Sequence, residues 1–135
     1  MKTSCFKLYK GDKGCSICCY PPIDWTDMTF PALEPRRQDF FAIKNGQINE
    51  EEYEKNYRDH VLSKLDPRKT YETLKNVVLL CWEEPKWEKG RTSGDFFCHR
   101  RIVAKWVFEN LKIIVPEWDP SEEKNTEKSE KRSLF

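Results

Sequence analysis

The sequence predicts a single α/β domain built on a small, open, mostly parallel sheet that helices flank. Residues 77–81 form an apolar run without polar alternation, which is typical of a central strand covered on both faces. A stripe at four-residue spacing predicts an amphipathic helix, whose buried face comprises Tyr53, Tyr57, Val61 and Leu65. A chain of 135 residues has room for one domain with a real core and for little more. We assign this domain to residues 1–118.

The N-terminal part contains two β-like runs, at residues 5–9 and 15–20, separated by a turn at residues 11–14. They form either a hairpin or two strands that pair elsewhere. Two prolines then end any ladder, and an irregular loop follows. A helix over residues 36–45 is expected to stop at Gly46 in the left-handed conformation.

Two later helix starts carry capping signals. Asn49 is placed to cap free N–H groups at the helix start, and the Glu52 side chain can accept a hydrogen bond from the backbone N–H of Asn49. Ile48 is placed to pack on Tyr53. Asp66 followed by proline opens a further short helix.

The C-terminal part predicts a final helix, a short strand and a tail. The inward face of the helix comprises Ile102, Val103, Trp106, Val107 and Leu111. Residues 113–115 are β-like and precede a proline. Residues 119–135 are rich in Ser, Glu and Lys, which predicts a disordered charged tail.

Composition excludes several classes of function. The 24 basic and 23 acidic side chains leave a net charge of +1, so no global field attracts nucleic acid or an anionic membrane. The longest apolar run is far shorter than the roughly 20 residues that cross a bilayer, and the first residues lack the apolar region of a signal peptide. We therefore expect a cytoplasmic protein, whose six cysteines are free thiols.

A cluster of chemically active side chains is expected where the central strand ends. Ligands bind outside the carboxyl ends of strands in open α/β sheets, which places Cys81, Trp82 and Glu83 at such a site. Cys98 and His99 follow, with Arg100 and Arg101, at the start of the last helix. Cations are unfavourable at a helix N-terminus, so these arginines should face an anion. That anion is Glu83 or Glu84, or a bound phosphate or carboxylate.

The same residues allow two further interpretations. Cys98 lies near a helix start and beside His99 and Arg100, which favours a lowered thiol pKa and a nucleophilic or acid–base role shared with Glu83 and His99. Cys81 is better explained as a buried core thiol. A zinc site is disfavoured, because the spacing of the two cysteines is unlike a compact finger and a fourth ligand is missing. No metal is therefore expected.

The spacing of two other cysteines, Cys15 and Cys18, resembles that of a redox pair. Cys15 and Cys18 would face opposite sides of a strand, so core packing is favoured for them.

The loop between Glu84 and Phe97 interleaves basic and aromatic residues between two glycines. Such a loop suits a stackable, phosphate-bearing partner such as a nucleotide or a single strand, and an ordinary solvated loop explains the same residues. Walker, nucleophile-elbow and dinucleotide-binding motifs are absent from the sequence.

With these residues in view, the chain resembles the shorter branch of the domain-of-unknown-function family 488. The matching stretches include residues 17–22, 33–35, 48–57, 65–67, 79–83 and 98–101, with Trp106. The resemblance implies an α/β domain whose signature residues are Cys81, Glu83, Cys98, His99 and Arg100. The longer connection between Glu83 and Cys98 and the cysteine-rich strand at residues 15–19 depart from the family pattern.

The end of the tail is similar to the short peptide, usually Gln-Leu-Ser-Leu-Phe, by which bacterial replication and repair proteins bind the DNA sliding clamp. Ser133, Leu134 and Phe135 match it, while Lys131 replaces the glutamine. A flexible tether presents such apolar anchors to a pocket at little strain.

The sequence thus predicts a nucleotide- or nucleic-acid-related protein with an anion-binding site formed by the strand end around Cys81 and Glu83 and by the helix start at Cys98–Arg101. The alternatives are an interaction protein recruited through its tail and a thiol-dependent enzyme.

Overall fold

The computed structural model describes residues 1–85 and 97–121, together with the backbone of residues 87–88 and 91–92. The strands are β1 (Lys2–Cys5), β2 (Gly14–Ser16), β3 (Met28–Thr29), β4 (Val78–Cys81), β5 (Trp87–Glu88) and β6 (Arg91–Thr92). The helices are α1 (Arg37–Lys44), α2 (Glu50–His60), α3 (Pro67–Leu74) and α4 (His99–Leu111). Short 3-10 turns cover Pro31–Leu33 and Leu62–Lys64.

The main sheet confirms the predicted class. Its four strands are all parallel and run in the order β1-β4-β2-β3. All four residues of β4 are buried, as the apolar run predicted. The predicted N-terminal runs are displaced, because the strands cover Lys2–Cys5 and Gly14–Ser16 and residues 6–8 form a turn. β1 and β2 do not form a hairpin, because β4 lies between them and pairs with both.

The helix starts follow their local signals. The side chain of Asn49 accepts from the N–H of Glu52, and the Glu52 carboxylate accepts from the N–H of Asn49. Asp66 caps α3 in the same way. Gly46 has the predicted positive φ of 72° after α1. Tyr53 and Tyr57, which belong to the predicted apolar stripe of α2, are buried. The helix ends at His60, so Leu65, the last residue of that stripe, lies beyond a 3-10 turn.

The predicted final strand at residues 113–115 is wrong, and the chain there has another role. After α4 the backbone turns at Lys112, which adopts a left-handed φ of 58°. Residues 113–118, which we call the C-terminal strap, then run beside β1. The N–H of Thr3 donates to the carbonyl of Pro116, and the N–H of Trp118 donates to the carbonyl of Thr3. The strap thereby carries Glu117 into the protein interior, where it is 8% exposed.

Two predicted features lie outside the described residues. The first is the basic and aromatic loop, because only the backbone of the β5–β6 pair is described between residues 86 and 96. The second is the tail, which lies outside the described residues from residue 122 onward, including Ser133, Leu134 and Phe135. Every helix in the described part of the chain is too short or too polar to cross a lipid bilayer.

Cys15 and Cys18 are both buried, in agreement with the core packing that was predicted for them, and they belong to different apolar clusters. Cys15 belongs to the larger apolar cluster with Leu79 and Val103, whereas Cys18 packs with Cys81 and Cys98. Burial raises the pKa of Cys15 from 9.0 to about 11.

This burial predicts a loss of stability at alkaline pH. The unfolded chain releases the Cys15 proton near pH 9.0, and the folded protein releases it near pH 11. The contribution of the protonated Cys15 thiol to the free energy of unfolding is therefore complete below pH 9.0 and is lost as the pH rises towards 11. The loss from this thiol is about 2 kcal/mol. Urea unfolding between these pH values measures it. A Cys15→Ala variant should show a shallower decline, and an equal decline in both proteins would contradict the prediction.

Candidate functional site

The centre of the site is a buried pair of thiols. Cys81 is the last residue of β4, and Cys98 immediately precedes α4. Their sulfur atoms lie 2.6 Å apart, and the two residues are 2% and 3% exposed. A disulfide requires a separation of about 2.0 Å, so a small movement suffices to join them. The sequence correctly predicted that the end of this strand and the start of this helix meet.

Arg100 lies directly against both sulfurs. Its Nη1 atom donates to Sγ of Cys81 at 2.7 Å and to Sγ of Cys98 at 3.3 Å. The residue is fully buried. A guanidinium at this distance stabilises a thiolate, because the charge acts through a poorly screened interior.

The carboxylate partner of Arg100 is Glu117, which the sequence did not predict. Nε and Nη2 of Arg100 donate to the two oxygens of Glu117 at 3.1 and 2.8 Å. Thr3 holds the same carboxylate from β1 through its hydroxyl, at 2.5 Å. The expected pairing with Glu83 or Glu84 is therefore corrected: both are exposed, and Glu84 pairs with Lys7 at the surface.

The two thiols differ in acidity. Burial raises the pKa of Cys81, but the Cys98 thiol and the Arg100 guanidinium outweigh burial and lower this pKa below its usual value. Burial and the neighbouring Cys81 raise the pKa of Cys98 well above its usual value. The sequence assigned the low pKa to Cys98 and a structural role to Cys81. In the structure Cys81 has the shorter bond to Arg100, and the lowered pKa belongs to Cys81.

His99 is held by a backbone carbonyl. Its Nε2 atom lies 2.8 Å from the carbonyl oxygen of Ile17, and its Nδ1 atom lies 3.9 Å from Sγ of Cys98. Burial lowers the pKa of His99 to about 4, so the ring is neutral at neutral pH. A neutral ring with one bonded nitrogen leaves the other as an acceptor beside the thiols.

The remaining predicted residues lie around this core. Arg101 donates to the hydroxyl of Thr3 and to the carbonyl of Val115, which ties α4 to the C-terminal strap. Trp82 is 52% exposed and its indole N–H donates to the carbonyl of Tyr20. Glu83 is exposed and lines a cavity.

This cavity has a volume of about 930 Å³ and reaches the thiol pair. Cys81, Cys98 and His99 line it, together with Cys18 and Cys19. Its aromatic lining comprises Tyr20, Phe40, Phe41, Tyr53, Trp82 and Phe97. The charged residues that line it are Lys44, Glu50, Glu83 and Glu84. Among the described residues of the lining, acidic groups outnumber basic ones, which is unfavourable for a phosphate-bearing ligand.

Sequence reasoning missed two functional contacts, Glu117 and the carbonyl of Ile17. Glu117 lies in a short polar and aromatic segment without periodicity, and a backbone carbonyl has no side-chain signature. The position of Arg100 at a helix N-terminus did predict that an anion lies beside it.

A comparison of the chain with models of known protein families, with curated proteins and with solved structures found no match in any of the three. The resemblance to the domain-of-unknown-function family 488 therefore stays a prediction.

Proposed function

We propose that this protein carries out thiol–disulfide exchange through the Cys81–Cys98 pair. The observation that supports this most is the contact of two sulfur atoms at 2.6 Å beside a guanidinium at 2.7 Å. The sequence left a thiol-dependent enzyme open as an alternative, with Cys98 as its reactive thiol.

In this proposal Cys81 is the nucleophile and Cys98 is the resolving thiol. A thiolate is the attacking species in exchange reactions, and Arg100 favours the thiolate of Cys81. Cys98 retains its proton and lies close enough to attack Cys81 once that sulfur has reacted.

In the proposed reaction the Cys81 thiolate attacks one sulfur of a substrate disulfide. The substrate S–S bond breaks, a mixed disulfide forms on Cys81, and the first substrate thiolate takes the proton of Cys98 and leaves as a thiol. Cys98 sulfur then attacks Cys81 sulfur and releases the second substrate thiolate. The protein dithiol is oxidised to a disulfide, and the substrate disulfide is reduced to one thiol and one thiolate.

The cavity supports a substrate with apolar or aromatic groups next to its disulfide. Aromatic side chains form much of the wall, and Trp82 and Phe41 are 52% and 45% exposed there. Large apolar surface of this kind suits contact with a ligand.

The nucleotide-related function and the clamp-binding tail stay predictions. Arg100 and Arg101 already donate within the protein, and the described residues of the cavity lining include more carboxylates than ammonium groups, so the anion hypothesis has less support than the thiol hypothesis. The tail lies outside the described residues.

A single-turnover reaction with an aromatic disulfide, 5,5′-dithiobis(2-nitrobenzoate), tests the proposal. A Cys19→Ser background removes the partly exposed thiol at the cavity. The reduced protein should release both aromatic thiolates per pair, keep no adduct and gain a Cys81–Cys98 disulfide in its peptide map. With Cys98→Ser added, one thiolate should be released and the adduct should stay on Cys81.

Cys15→Ser, which changes a buried thiol of the other core cluster, should behave as the parent does. Retention of the adduct on Cys81 in the parent would show that Cys98 does not resolve it. Failure of both cysteines to react in the folded protein would indicate a purely structural cluster.

A further inference from the structure

A third donor atom lies beside the thiol pair. The sulfurs of Cys81 and Cys98 and one ring nitrogen of His99 all lie within 4.8 Å of one another. The three residues are 2%, 3% and 7% exposed. Thiolate sulfur and imidazole nitrogen are the donors that Zn²⁺ prefers in proteins.

The histidine is oriented as a ligand. A carbonyl oxygen only accepts hydrogen bonds, so the 2.8 Å contact with Ile17 requires the proton on Nε2. Nδ1 then carries a lone pair beside the thiols, at 3.9 Å from Sγ of Cys98. Histidines that bind metals commonly donate their other ring N–H to a backbone carbonyl or a carboxylate.

We propose that the reduced Cys81 and Cys98 thiolates and Nδ1 of His99 bind one Zn²⁺ ion, with a fourth position open to the cavity. In a tetrahedral site with ordinary bond lengths, sulfur and nitrogen ligands are about 3.6 Å apart and two sulfurs about 3.7 Å apart. The nitrogen–sulfur distance of 3.9 Å already fits. The sulfur–sulfur distance of 2.6 Å must open by about 1 Å, which small side-chain rotations provide.

The surrounding charges fit a divalent cation. Two bound thiolates and Glu117 are negative, and Zn²⁺ and Arg100 supply an equal positive charge. The cluster with its metal is therefore neutral, which a buried site requires. Arg100 keeps its N–H bonds to the sulfurs as an outer contact that orients them.

Zinc binding and disulfide formation exclude each other, because the bound metal uses the electron pairs of both sulfurs. Zinc would thus hold the pair in its reduced form. This inference uses the same two cysteines as the proposed function, but it requires His99 in addition and does not require the exchange reaction.

Competition with a chromophoric zinc chelator tests the site in reduced, metal-free protein. The wild type should bind one equivalent of Zn²⁺, and Cd²⁺ in its place should give a thiolate-to-metal charge-transfer band in the ultraviolet. His99→Gln retains a side-chain N–H for the carbonyl of Ile17 and removes the Nδ1 ligand. It should weaken zinc binding about tenfold or more.

Matched variants locate the metal. Cys81→Ser and Cys98→Ser should lose the Cd²⁺ band, whereas Cys15→Ser should bind as the wild type does, and Cys18→Ser tests a ligand from the same cavity. In unmodified protein, Zn²⁺ should protect Cys81 and Cys98 from alkylation, as peptide mapping detects. Absence of bound zinc, equal binding by Cys81→Ser, or loss of binding in Cys18→Ser alone would overturn the site. Thiol exchange without zinc binding would refute the metal site alone, and zinc binding without exchange would refute the reaction alone.

Discussion

Arg100→Met is expected to destabilise the protein by about 3–5 kcal/mol, the largest effect of any single substitution at the site. The substitution removes the cation from a fully buried ion pair and leaves the Glu117 carboxylate in the interior without its guanidinium. Burying an unpaired charge costs far more than losing the pair as a whole. Urea unfolding monitored by tryptophan fluorescence measures the change.

A double variant, Arg100→Met with Glu117→Leu, should recover most of this loss, because it removes both charges and keeps apolar volume. Arg58→Met is a matched control at the surface. Arg58 also forms a bidentate pair, with Glu109, but both side chains are partly exposed, so the expected cost is about 0–1 kcal/mol. Similar losses from Arg100→Met and Arg58→Met would contradict the buried pair.

The second large effect concerns the reactivity of Cys81. At a fixed neutral pH, iodoacetamide should modify Cys81 about tenfold or more slowly in the double variant than in the wild type, because the nearby positive charge that favours the thiolate is gone. Mass spectrometry of the Cys81 peptide gives the rate. Arg100→Lys keeps a positive charge but lacks the planar guanidinium, so the alkylation rate of Cys81 should fall less in this variant.

Cys19 provides the internal reference for this rate. It is partly exposed and its thiol donates to the carbonyl of Pro35, so its alkylation should not depend on Arg100. Equal alkylation of Cys81 with and without the guanidinium would show that Arg100 is only a structural partner of Glu117.

Much of the fold followed from local signals in the sequence. Asn49 and Asp66 marked helix starts because capping is decided within four residues. The apolar run at residues 77–81 marked the central strand because a strand covered on both faces needs apolar side chains throughout. The meeting of Cys81 and Cys98 then followed from the rule that sites form at the carboxyl ends of parallel strands.

The parts that could not be predicted depend on long-range contacts. Glu117 reaches Arg100 because the C-terminal strap runs beside β1, and no local pattern around residue 117 reports that path. The same strap replaced the expected strand at residues 113–115. The order of acidity within the thiol pair depends on which sulfur the guanidinium faces, and that geometry is set by Glu117 and Thr3.

The most direct test of the central claim, that Cys81 and Cys98 act as one exchanging dithiol, is equilibration of the protein with glutathione buffers of increasing oxidised fraction, followed by acid quenching and peptide mapping. We predict a single two-electron transition in which the Cys81–Cys98 disulfide appears while Cys15 stays a thiol. Thiols at both positions in every buffer, or separate mixed disulfides on Cys81 and Cys98 without a bond between them, would contradict the account.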